Sequence, residues 1–450
     1  MPAPTLVWFR QDLRLADQPA LVAAAGEGPV VACYILDDET PGRWAIGGAQ
    51  RWWLHHSLAS LAADLSARGV ELILRRGRAA EQVARLADEI GAARIHALAH
   101  YEPWWQAAEK ALGERLMLHD GARLADPRTI LTRTGGRYRI FTPFWRALAE
   151  RMPPPAPSPV PDLTGAKVSA ASDRLEDWVL LPTKPDWATG FDWTPGEAGA
   201  RDVLEAFMPG VGAYATARNL PSVQGSSRLS PYLHMGELSP ATVWHTAAAA
   251  GPEAEPFLRE LGWRDFTANL LDLIPNYADA HGRVVGDRIA WRSDAGAKRE
   301  YRAWTKGRTG YPIVDAGMRQ LWVTGWMHNR VRMIAASFLV KHLLIDWRRG
   351  QDWFWDTLVD ADLGNNAVNW QWVAGTGVDS SPFSRIMAPL VQSAKFDAAA
   401  YIRAWVPELA DVPDAAIHDP HGAGVAPAAY PRPLIGHREG RERALAAARG

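Results

Sequence analysis

The sequence predicts two domains of different class, an amino-terminal α/β domain with a parallel sheet and a larger all-α domain. Short β-type runs alternate with helical runs over residues 1–125, a proline-rich connector lies within 126–195, and helical periodicity dominates 196–450. Alternating strands and helices form βαβ units, whose strands run parallel. The chain has 450 residues. That length accommodates about two or three domains, each with its own core.

Five predicted strands build the Rossmann-like sheet of the first domain, at 5–9, 29–36, 71–75, 94–99 and 115–119. Predicted helices at 50–68 and 79–90 lie between them. Ligands of such sheets bind at the carboxyl ends of the strands. No G-x-G-x-x-G motif follows the first strand, which runs instead into Arg10-Gln11-Asp12-Leu13-Arg14. A dinucleotide site of the Rossmann type is therefore not expected there.

The connector contains the sequence Met-Pro-Pro-Pro-Ala-Pro-Ser-Pro-Val-Pro, which begins at Met152. Proline lacks an amide N–H and fixes φ, so this stretch cannot form a helix or a central strand. Sequence without clear periodicity continues to Thr194 and predicts a long linker between domains. Beyond it, predicted helices cover 196–207, 239–250, 254–273, 315–323, 329–344, 351–358 and 398–406.

Composition excludes several classes of protein. Hydrophobic residues make up 48% and charged residues 22%, with 49 Lys and Arg against 50 Asp and Glu, so any nucleic-acid site must be a local patch. The single cysteine, Cys33, excludes a multi-cysteine metal site and suits a reducing compartment, and no bound metal is expected. With no signal-peptide pattern and no long apolar run, we expect a cytoplasmic protein without a membrane segment.

Tryptophan is unusually frequent, with 22 residues in the chain. Packing alone explains this number poorly, because each buried indole N–H needs a hydrogen-bond partner. Between Trp263 and Arg349 tryptophans interleave with arginines and lysines. Flat rings and cations together suit single-stranded or flipped-out bases, although packed tryptophans among solvated charges remain an alternative. On one predicted helical face the spacing i, i+3, i+4, i+7 collects Trp326, Asn329, Arg330 and Met333.

Two further segments have the composition of a binding site. Gly225-Ser226-Ser227-Arg228-Leu229-Ser230-Pro231 offers hydroxyl and backbone donors just before a predicted helix, which suits a phosphate, while a simple helix cap is the alternative. The segment from Asp360 to Trp372 is dense in carboxylates, amides and tryptophans. Such side chains suit a heteroaromatic ligand that carries both donors and acceptors, whereas the alternative is a polar loop.

Several long motifs together resemble the photolyase/cryptochrome family of flavoproteins over nearly the whole chain. In order along the chain they are VWFRQDLRLADQPAL, SSRLSPYLHMGELSP, LGWRDF, KGRTGYPIVDAGMRQL, TGWMHNRVRMIAASFLVKHLLIDW and DADLGNNAVNWQW. The resemblance implies an antenna-chromophore domain over 1–125, a linker over 126–195, and a helical domain over 196–450 that binds FAD and the DNA lesion. This division agrees with the periodicity.

The resemblance also implies which residues bind FAD, with the reduced anionic flavin as the active form. Asn366 is expected beside flavin N5, where an amide can hydrogen-bond the ring without adding a charge. Asp360 is expected to pair with Arg332. The expected cofactor contacts are Tyr214, Ser226, Ser227, Arg228, Leu229, Ser230, Trp263, Arg332, Asp360, Asp362 and Asn366.

The activity implied is light-driven repair of cyclobutane pyrimidine dimers by a deoxyribodipyrimidine photolyase, in which excited reduced FAD gives an electron to a flipped-out dimer. Glu260 is expected to hydrogen-bond the dimer and Trp263 to stack on it. The other expected DNA or lesion contacts are Arg218, Arg264, Asn329, Arg330, Met333, Trp372 and Gln392. Trp370, Trp347 and Trp291 match a relay that photoreduces oxidised flavin. The expected partner is UV-damaged DNA, bound by a monomer at the bacterial nucleoid.

Within the family, Gly48-Ala49-Gln50-Arg51-Trp52-Trp53-Leu54 resembles class III dimer photolyases and plant cryptochromes. The antenna expected from this likeness is methenyltetrahydrofolate, held by Glu102 and Trp104. The alternatives are a cryptochrome-type blue-light sensor, a photolyase for another lesion, and a light-independent single-strand-binding protein. Glu260, Asn329 and Asn366 favour repair of cyclobutane dimers.

Overall fold

A five-stranded parallel sheet forms the centre of the amino-terminal domain in the computed structural model, which describes residues 3–380 and 382–449. The strand order is β3-β2-β1-β4-β5. This order reverses direction on the two sides of β1, which creates a crevice at the carboxyl ends of the strands. The strands are β1 (Thr5–Phe9), β2 (Val30–Leu36), β3 (Leu72–Arg76), β4 (Ile95–Leu98) and β5 (Leu116–His119).

Helices cover both faces of this sheet, as βαβ connections require. Alternate strand residues point to opposite faces, so Val7 packs with one pair of helices and Leu6 and Trp8 with the other. The first pair is α1 (Pro19–Glu27) and α2 (Gly48–Ser66), and the second is α3 (Ala79–Ile90) and α4 (Pro103–Leu112). The predicted Rossmann-like domain with a parallel sheet is confirmed, although the sequence patterns did not predict α1 or α4.

The region predicted as a linker contains a helix, α5 (Phe141–Ala149). Its residues Phe141, Phe144 and Leu148 are buried at i, i+3 and i+7. No helix was predicted within the 126–195 linker, because nine residues with a proline in the first turn are too short a segment to stand out as a helical pattern. The proline-rich stretch itself forms no helix or strand in the part of the chain described, as predicted. Just beyond it, Gly165 forms an isolated bridge with Val30.

The remainder of the chain is helical, as predicted. Its helices are α6 (Glu197–Phe207), α7 (Tyr214–Ala217), α8 (Ser230–Met235), α9 (Pro240–Ala248), α10 (Glu255–Leu273), α11 (Ala295–Thr305), α12 (Pro312–Thr324), α13 (Asn329–Ser337), α14 (Trp347–Thr357), α15 (Leu363–Ala374), α16 (Pro389–Lys395), α17 (Ala399–Trp405), α18 (Asp414–Ile417) and α19 (His437–Ala447). Of the helices described, none is long and apolar enough to cross a bilayer.

Two predictions around α13 were wrong. Gly325, with φ of 68°, ends α12, and His328 caps α13 by accepting the N–H of Arg330 at 3.2 Å. Trp326 therefore lies before the helix and does not share the helical face of Asn329, Arg330 and Met333. The sequence also predicts one α-helix over 329–344. In the structure the α-helix ends at Ser337, and a π-helical turn, Phe338–His342, follows it.

Buried polar contacts join the two domains. The backbone of Leu13 donates to Met235 O at 3.0 Å, and the Arg14 guanidinium donates to Gly236 O at 3.0 Å. The indole of Trp53 donates to the carboxylate of Glu237 at 3.1 Å. Because the donors lie in the first domain and the acceptors in the α8–α9 region, these bonds fix the sheet against the helical domain.

Asp315 fixes the start of α12 to the carboxyl-terminal segment. It is fully buried and accepts hydrogen bonds from Thr309 N at 2.6 Å, Thr309 Oγ1 at 2.7 Å, Gly310 N at 3.0 Å and Tyr430 Oη at 2.7 Å. These four donors replace the hydrogen bonds to water that the carboxylate loses on burial. Asp315 is therefore expected to be a main determinant of stability in the helical domain.

We expect Asp315→Ala to lower the free energy of unfolding by about 2–4 kcal/mol, because several buried donors lose their acceptor at once. Denaturant unfolding of the purified protein measures this change. Asp414→Ala is the matched control, since that side chain is 76% exposed. A loss for Asp315→Ala no larger than that of the control would contradict the assigned role.

Candidate functional site

A cavity between α13, α14 and α15 brings together many of the side chains singled out in the sequence. Asp362 caps α15 by accepting the N–H of Asn365 at 2.7 Å, and this cap sets the direction in which the amides of the helix point. The lining residues are Asn329, Arg332, Met333, Ala336, Phe354, Leu358, Asp360, Ala361, Asp362, Asn365, Asn366, Asn369, Trp370 and Val373. We call this the α15 cavity.

A bidentate ion pair forms one wall of the α15 cavity. The two guanidinium nitrogens of Arg332 donate to the two oxygens of Asp360 at 3.0 and 2.9 Å. The Ser230 hydroxyl donates to the same carboxylate at 2.6 Å, and Arg332 Nε donates to Met327 O at 2.7 Å. This fork geometry holds both side chains in one orientation. The pairing of Asp360 with Arg332, expected from the resemblance, is present in the structure.

Only part of the serine-rich loop reaches this wall. Ser230 does so through Asp360, whereas Ser226, Ser227 and Arg228 line a separate cavity beside Trp193. Arg228 has a φ of 54° and places its guanidinium 4.2 Å from the centre of the Trp193 ring. Leu229 is buried. Of the loop residues expected around the FAD phosphates, Ser230 thus contacts the wall of the α15 cavity, whereas Ser226, Ser227 and Arg228 line a second cavity.

A buried polar junction lies where the first domain meets α10 and α15. Arg123 Nη2 is 3.5 Å from Asp362 Oδ2, and both side chains are less than a tenth exposed. Burial raises the pKa of Asp362, but the Arg123 guanidinium, His234, the N–H of Asn365 and Arg264 together outweigh it and hold that pKa below its usual value. Burial raises the pKa of Asp265 to about 7, and this carboxylate accepts the N–H of Ala125 at 3.2 Å.

Arg264 belongs to this junction. Its Nη2 donates to Leu233 O at 2.7 Å, while Nη1 is buried without a hydrogen-bond partner among the described residues. Burial, and then the nearby Arg123 guanidinium, lower the pKa of Arg264 to about 9. The sequence places Arg264 near the DNA backbone, and in the structure its guanidinium is directed into this junction, because Trp263 and Arg264 are successive residues of α10 and point in different directions.

Glu102 also lies in this junction. It is 2% exposed, and burial, followed by the neighbouring Asp362 carboxylate, raises its pKa. Trp104 instead lines a cavity at the carboxyl ends of β1 and β2, which we call the sheet-end cavity. The structure thus separates the two residues expected to hold one antenna. The sheet-end cavity is lined by Gln11, Tyr34, Ile35, Leu36, Asp37, Pro41, Trp44, Ile46, Leu54, Trp104, Trp105, Met235 and Trp355.

A second cluster contains the residues expected to meet the lesion. The Arg218 guanidinium forms an ion pair with Glu260 and lies 5.1 Å from the centre of the Tyr214 ring. Next to Arg218, the side chain of Asn219 accepts a hydrogen bond from Arg330 of α13. That bond connects the cluster to the helix that lines the α15 cavity.

The aromatic residues expected around the lesion have defined neighbours. The Trp263 ring stacks on Phe141 of α5, with centroids 3.6 Å apart and an angle of 11° between the planes. The partly buried Trp372 lies 5.3 Å from the Arg385 guanidinium. Gln392, in α16, is also partly exposed. One face of Trp263 is therefore covered by a helix that was not predicted.

Trp370 and Trp347 lie at the interface of α14 and α15. The Trp370 ring packs so closely on Gly350, one turn after Trp347, that a Cβ at this position would collide with it. Phe354 and Trp304 also contact Trp370, with ring centroids 5.0 and 6.3 Å away. Trp291 lies apart from them, 6.1 Å from Phe383. The contact with Trp304 was not expected from the sequence.

Comparisons with known proteins place the chain among photolyases. A family model described as DNA photolyase matches residues 5–162, and one described as the FAD binding domain of DNA photolyase matches residues 257–450. A deoxyribodipyrimidine photo-lyase of Agrobacterium fabrum is 46% identical over 99% of this chain and 97% of its own length.

Two solved structures are also similar. A bacterial class III photolyase from Agrobacterium tumefaciens has a TM-score of 0.93 and 46% identity, covering 99% of this chain and 97% of that chain. An archaeal photolyase from Sulfolobus tokodaii, solved with two FAD molecules, has a TM-score of 0.85 and 30% identity, covering 99% of each chain.

We expect Asp360→Asn to weaken FAD binding by about tenfold to a hundredfold, because it removes the charge that holds Arg332 and Ser230 in place. Flavin absorbance per protein and titration of flavin-depleted protein with FAD measure this loss. Asp352→Asn is the control, since that carboxylate pairs with Arg43 on the surface. Equal FAD affinity in Asp360→Asn and the wild type would show that the ion pair does not shape the cofactor site.

Proposed function

The chain belongs to the DNA photolyase family, and we propose that it repairs cyclobutane pyrimidine dimers in DNA by light-driven electron transfer from FAD. The observation that carries the proposal is the α15 cavity, where Arg332, Asp360 and Asn366 lie beside Asn329 and Met333. Amide, carboxylate and guanidinium groups on one cavity can recognise a flavin on one side and a damaged base on the other. The strong likeness to photolyases supports the same activity.

The residues present fit FAD. Asn366 donates through Nδ2 to Gln351 O at 3.1 Å, which leaves its Oδ1 as an acceptor for a protonated ring nitrogen. The buried Nη1 of Arg264, which has no partner among the residues described, suits an anionic oxygen of the cofactor. When bound and reduced, the anionic FAD supplies the excited electron that splits the dimer. The protein's part is to bind, orient and exclude water.

The lesion is held from the Glu260 side in this proposal. Arg218 holds the Glu260 carboxylate in place through an ion pair, so that it can accept a hydrogen bond from a pyrimidine. Trp263, supported by Phe141, and Trp372 offer flat surfaces for stacking. Extruding a damaged base pair costs a few kcal/mol, less than for an intact pair, which favours the lesion over normal DNA. Arg330 and Gln392 are proposed to contact the backbone.

The tryptophans Trp370, Trp347 and Trp291 are proposed to return oxidised flavin to its reduced form. Trp370 lines the α15 cavity, and Trp347 is close to it through Gly350. Trp291 lies farther away, beside Phe383. Contact of Trp304 with Trp370 supports a second possible donor next to the same ring.

We also propose a second, light-harvesting chromophore in the sheet-end cavity, with methenyltetrahydrofolate as the candidate and Trp104 as a contact. The cavity lies where the strand order of the sheet reverses, the usual ligand position in such sheets. The likeness to a class III photolyase supports assignment to that subfamily. Every residue invoked comes from one chain, so the proposal needs only a monomer acting on DNA at the nucleoid.

The test is repair of an oligonucleotide with a single thymine dimer by chemically reduced, FAD-loaded protein, in blue light and in the dark. We expect repair only in the light and none of a strand bearing a (6-4) photoproduct. Repair in darkness, or of the other lesion alone, would contradict the proposal. A light sensor without repair activity would leave both lesions unchanged, and a light-independent single-strand-binding protein would bind the strand without flavin.

We expect Glu260→Ala to keep its FAD and to repair about tenfold fewer dimers per absorbed photon, because the lesion loses a charged hydrogen-bond acceptor. Glu253→Ala, at an exposed position shortly before Glu260, is the control. The repair yield per absorbed photon measures the difference. A yield equal to that of the control would remove Glu260 from the lesion site.

A further inference from the structure

The indole N–H of Trp347 points at a titratable side chain. Trp347 Nε1 donates a hydrogen bond to Nδ1 of His281 at 3.3 Å, and the two ring centroids are 5.8 Å apart. Trp347 is fully buried, while His281 is partly exposed. For Nδ1 to accept this bond, the imidazole must be neutral and carry its proton on Nε2. The neutral imidazole thus has an unprotonated nitrogen, Nδ1, next to the indole N–H, and part of the ring is exposed to solvent.

The other tryptophans near the α15 cavity have no such base. Trp304 Nε1 donates to the carbonyl oxygen of Ala335 at 3.0 Å, and a backbone carbonyl does not take up a proton at ordinary pH. The indole nitrogens of Trp370 and Trp291 have no hydrogen-bond partner in the part of the chain described. Among these four indoles, Trp347 is therefore the one placed to lose its proton directly to the protein.

The Arg348 guanidinium acts on both partners of a proton transfer from Trp347. It lies 5.0 Å from the centre of the Trp347 ring, so a positive charge on that ring is disfavoured. It also disfavours an imidazolium at His281, and its pairing with Asp346 at 2.9 Å offsets part of its charge. The direction of the transfer therefore follows from the hydrogen bond between the two rings and not from Arg348.

The surroundings of His281 keep it neutral. The charged groups that face it are Arg348 and Asp346, from the region where α14 begins, and Asp287, from the turn Val284–Arg288. Burial, followed by Arg348, lowers the pKa of His281, and the two carboxylates oppose this shift only in part. Gly286 lies against the imidazole so closely that any Cβ there would collide with the ring. The imidazole is thereby held in position to accept the indole proton of Trp347.

We propose that His281 is the proton acceptor for Trp347 during photoreduction of the flavin. The inference rests on the proposed function, because the photoexcited oxidised flavin is the oxidant. Trp370 first gives one electron toward the flavin, and Trp347 then gives one electron to Trp370. The N–H bond of Trp347 breaks, its electron pair stays on the nitrogen, and the proton passes to Nδ1 of His281. In total Trp347 is oxidised by one electron to a neutral radical, the flavin is reduced by one electron, and the imidazole becomes an imidazolium.

Loss of the proton makes the charge separation last longer. Return of the electron to a neutral indole radical requires a proton to come back as well, which slows recombination. By taking the proton, His281 therefore prolongs the oxidised state of Trp347. This role depends on the pH, because an imidazolium cannot accept a second proton and adds a further positive charge beside the ring.

The experiment is flash photolysis of the protein loaded with oxidised FAD, since the radical cation and the neutral radical of tryptophan absorb visible light differently. In the wild type we expect the neutral radical, a solvent isotope effect on its appearance, and slower appearance as the pH falls through the His281 pKa measured by NMR. In His281→Gln an amide oxygen still accepts the N–H but is not a base. There proton loss is expected to slow by about a hundredfold or more, the usual contribution of a positioned base.

Matched variants separate the possible explanations. His245→Gln changes a histidine that bonds only the backbone oxygen of Pro154 at 2.9 Å and should behave as the wild type. His281→Ala should lose rapid proton transfer and regain it with added imidazole, which a purely structural role would not produce. Unchanged proton loss with the same isotope effect in His281→Gln would overturn the inference.

The proposed relay itself is tested separately. Trp370→Phe should abolish tryptophan oxidation altogether, and Trp347→Phe should remove the neutral radical while Trp370 is still oxidised. Full photoreduction in Trp370→Phe would overturn the relay, whatever the His281 variants show. If Trp347 is oxidised in the wild type but keeps its indole proton, only the proposed role of His281 is overturned.

Discussion

The ion pair between Arg123 and Asp362 links the first domain to α15, one of the helices that line the α15 cavity. Both side chains are nearly inaccessible to water, so their attraction is screened little and the loss of either partner leaves a buried charge. Asp362 also caps α15, and from that cap follow the positions of Asn366 and Trp370 along the cavity wall. The geometry of the proposed flavin site thus depends on Arg123, a residue outside the helical domain.

The same junction explains why the two proposed chromophore sites remain distinct. Glu102 lies beside Asp362, while Trp104, two positions later, faces the sheet-end cavity. Residues two apart at the start of a helix point to roughly opposite sides, so one turn of α4 serves both the junction and the cavity. The burial of Arg264 and Asp265 has a similar cause, because α10 turns its successive residues toward different neighbours.

Much of this could be predicted from the sequence. Strand and helix alternation predicted the parallel sheet, and helical periodicity predicted the second domain, since both depend on local patterns. The dense polar segment after Asp360 correctly indicated one wall of a cavity. Arg123 could not be found this way, because a single arginine in a loop has no pattern and its partner lies far along the chain. Helix α5 was missed because it is only nine residues long and has a proline in its first turn. The environments of Glu102 and Arg264 depend on helix rotation, which only packing fixes.

A charge from the first domain orders the proposed flavin site, and a double-mutant cycle on Arg123 and Asp362 tests this dependence most directly. FAD affinity would be measured for Arg123→Met, Asp362→Asn and the combined variant. We predict that each single change weakens FAD binding and that the double change costs less than their sum by about 1 kcal/mol or more, as expected for residues in contact. Wild-type FAD affinity in Arg123→Met, or strict additivity of the two changes, would contradict the claim.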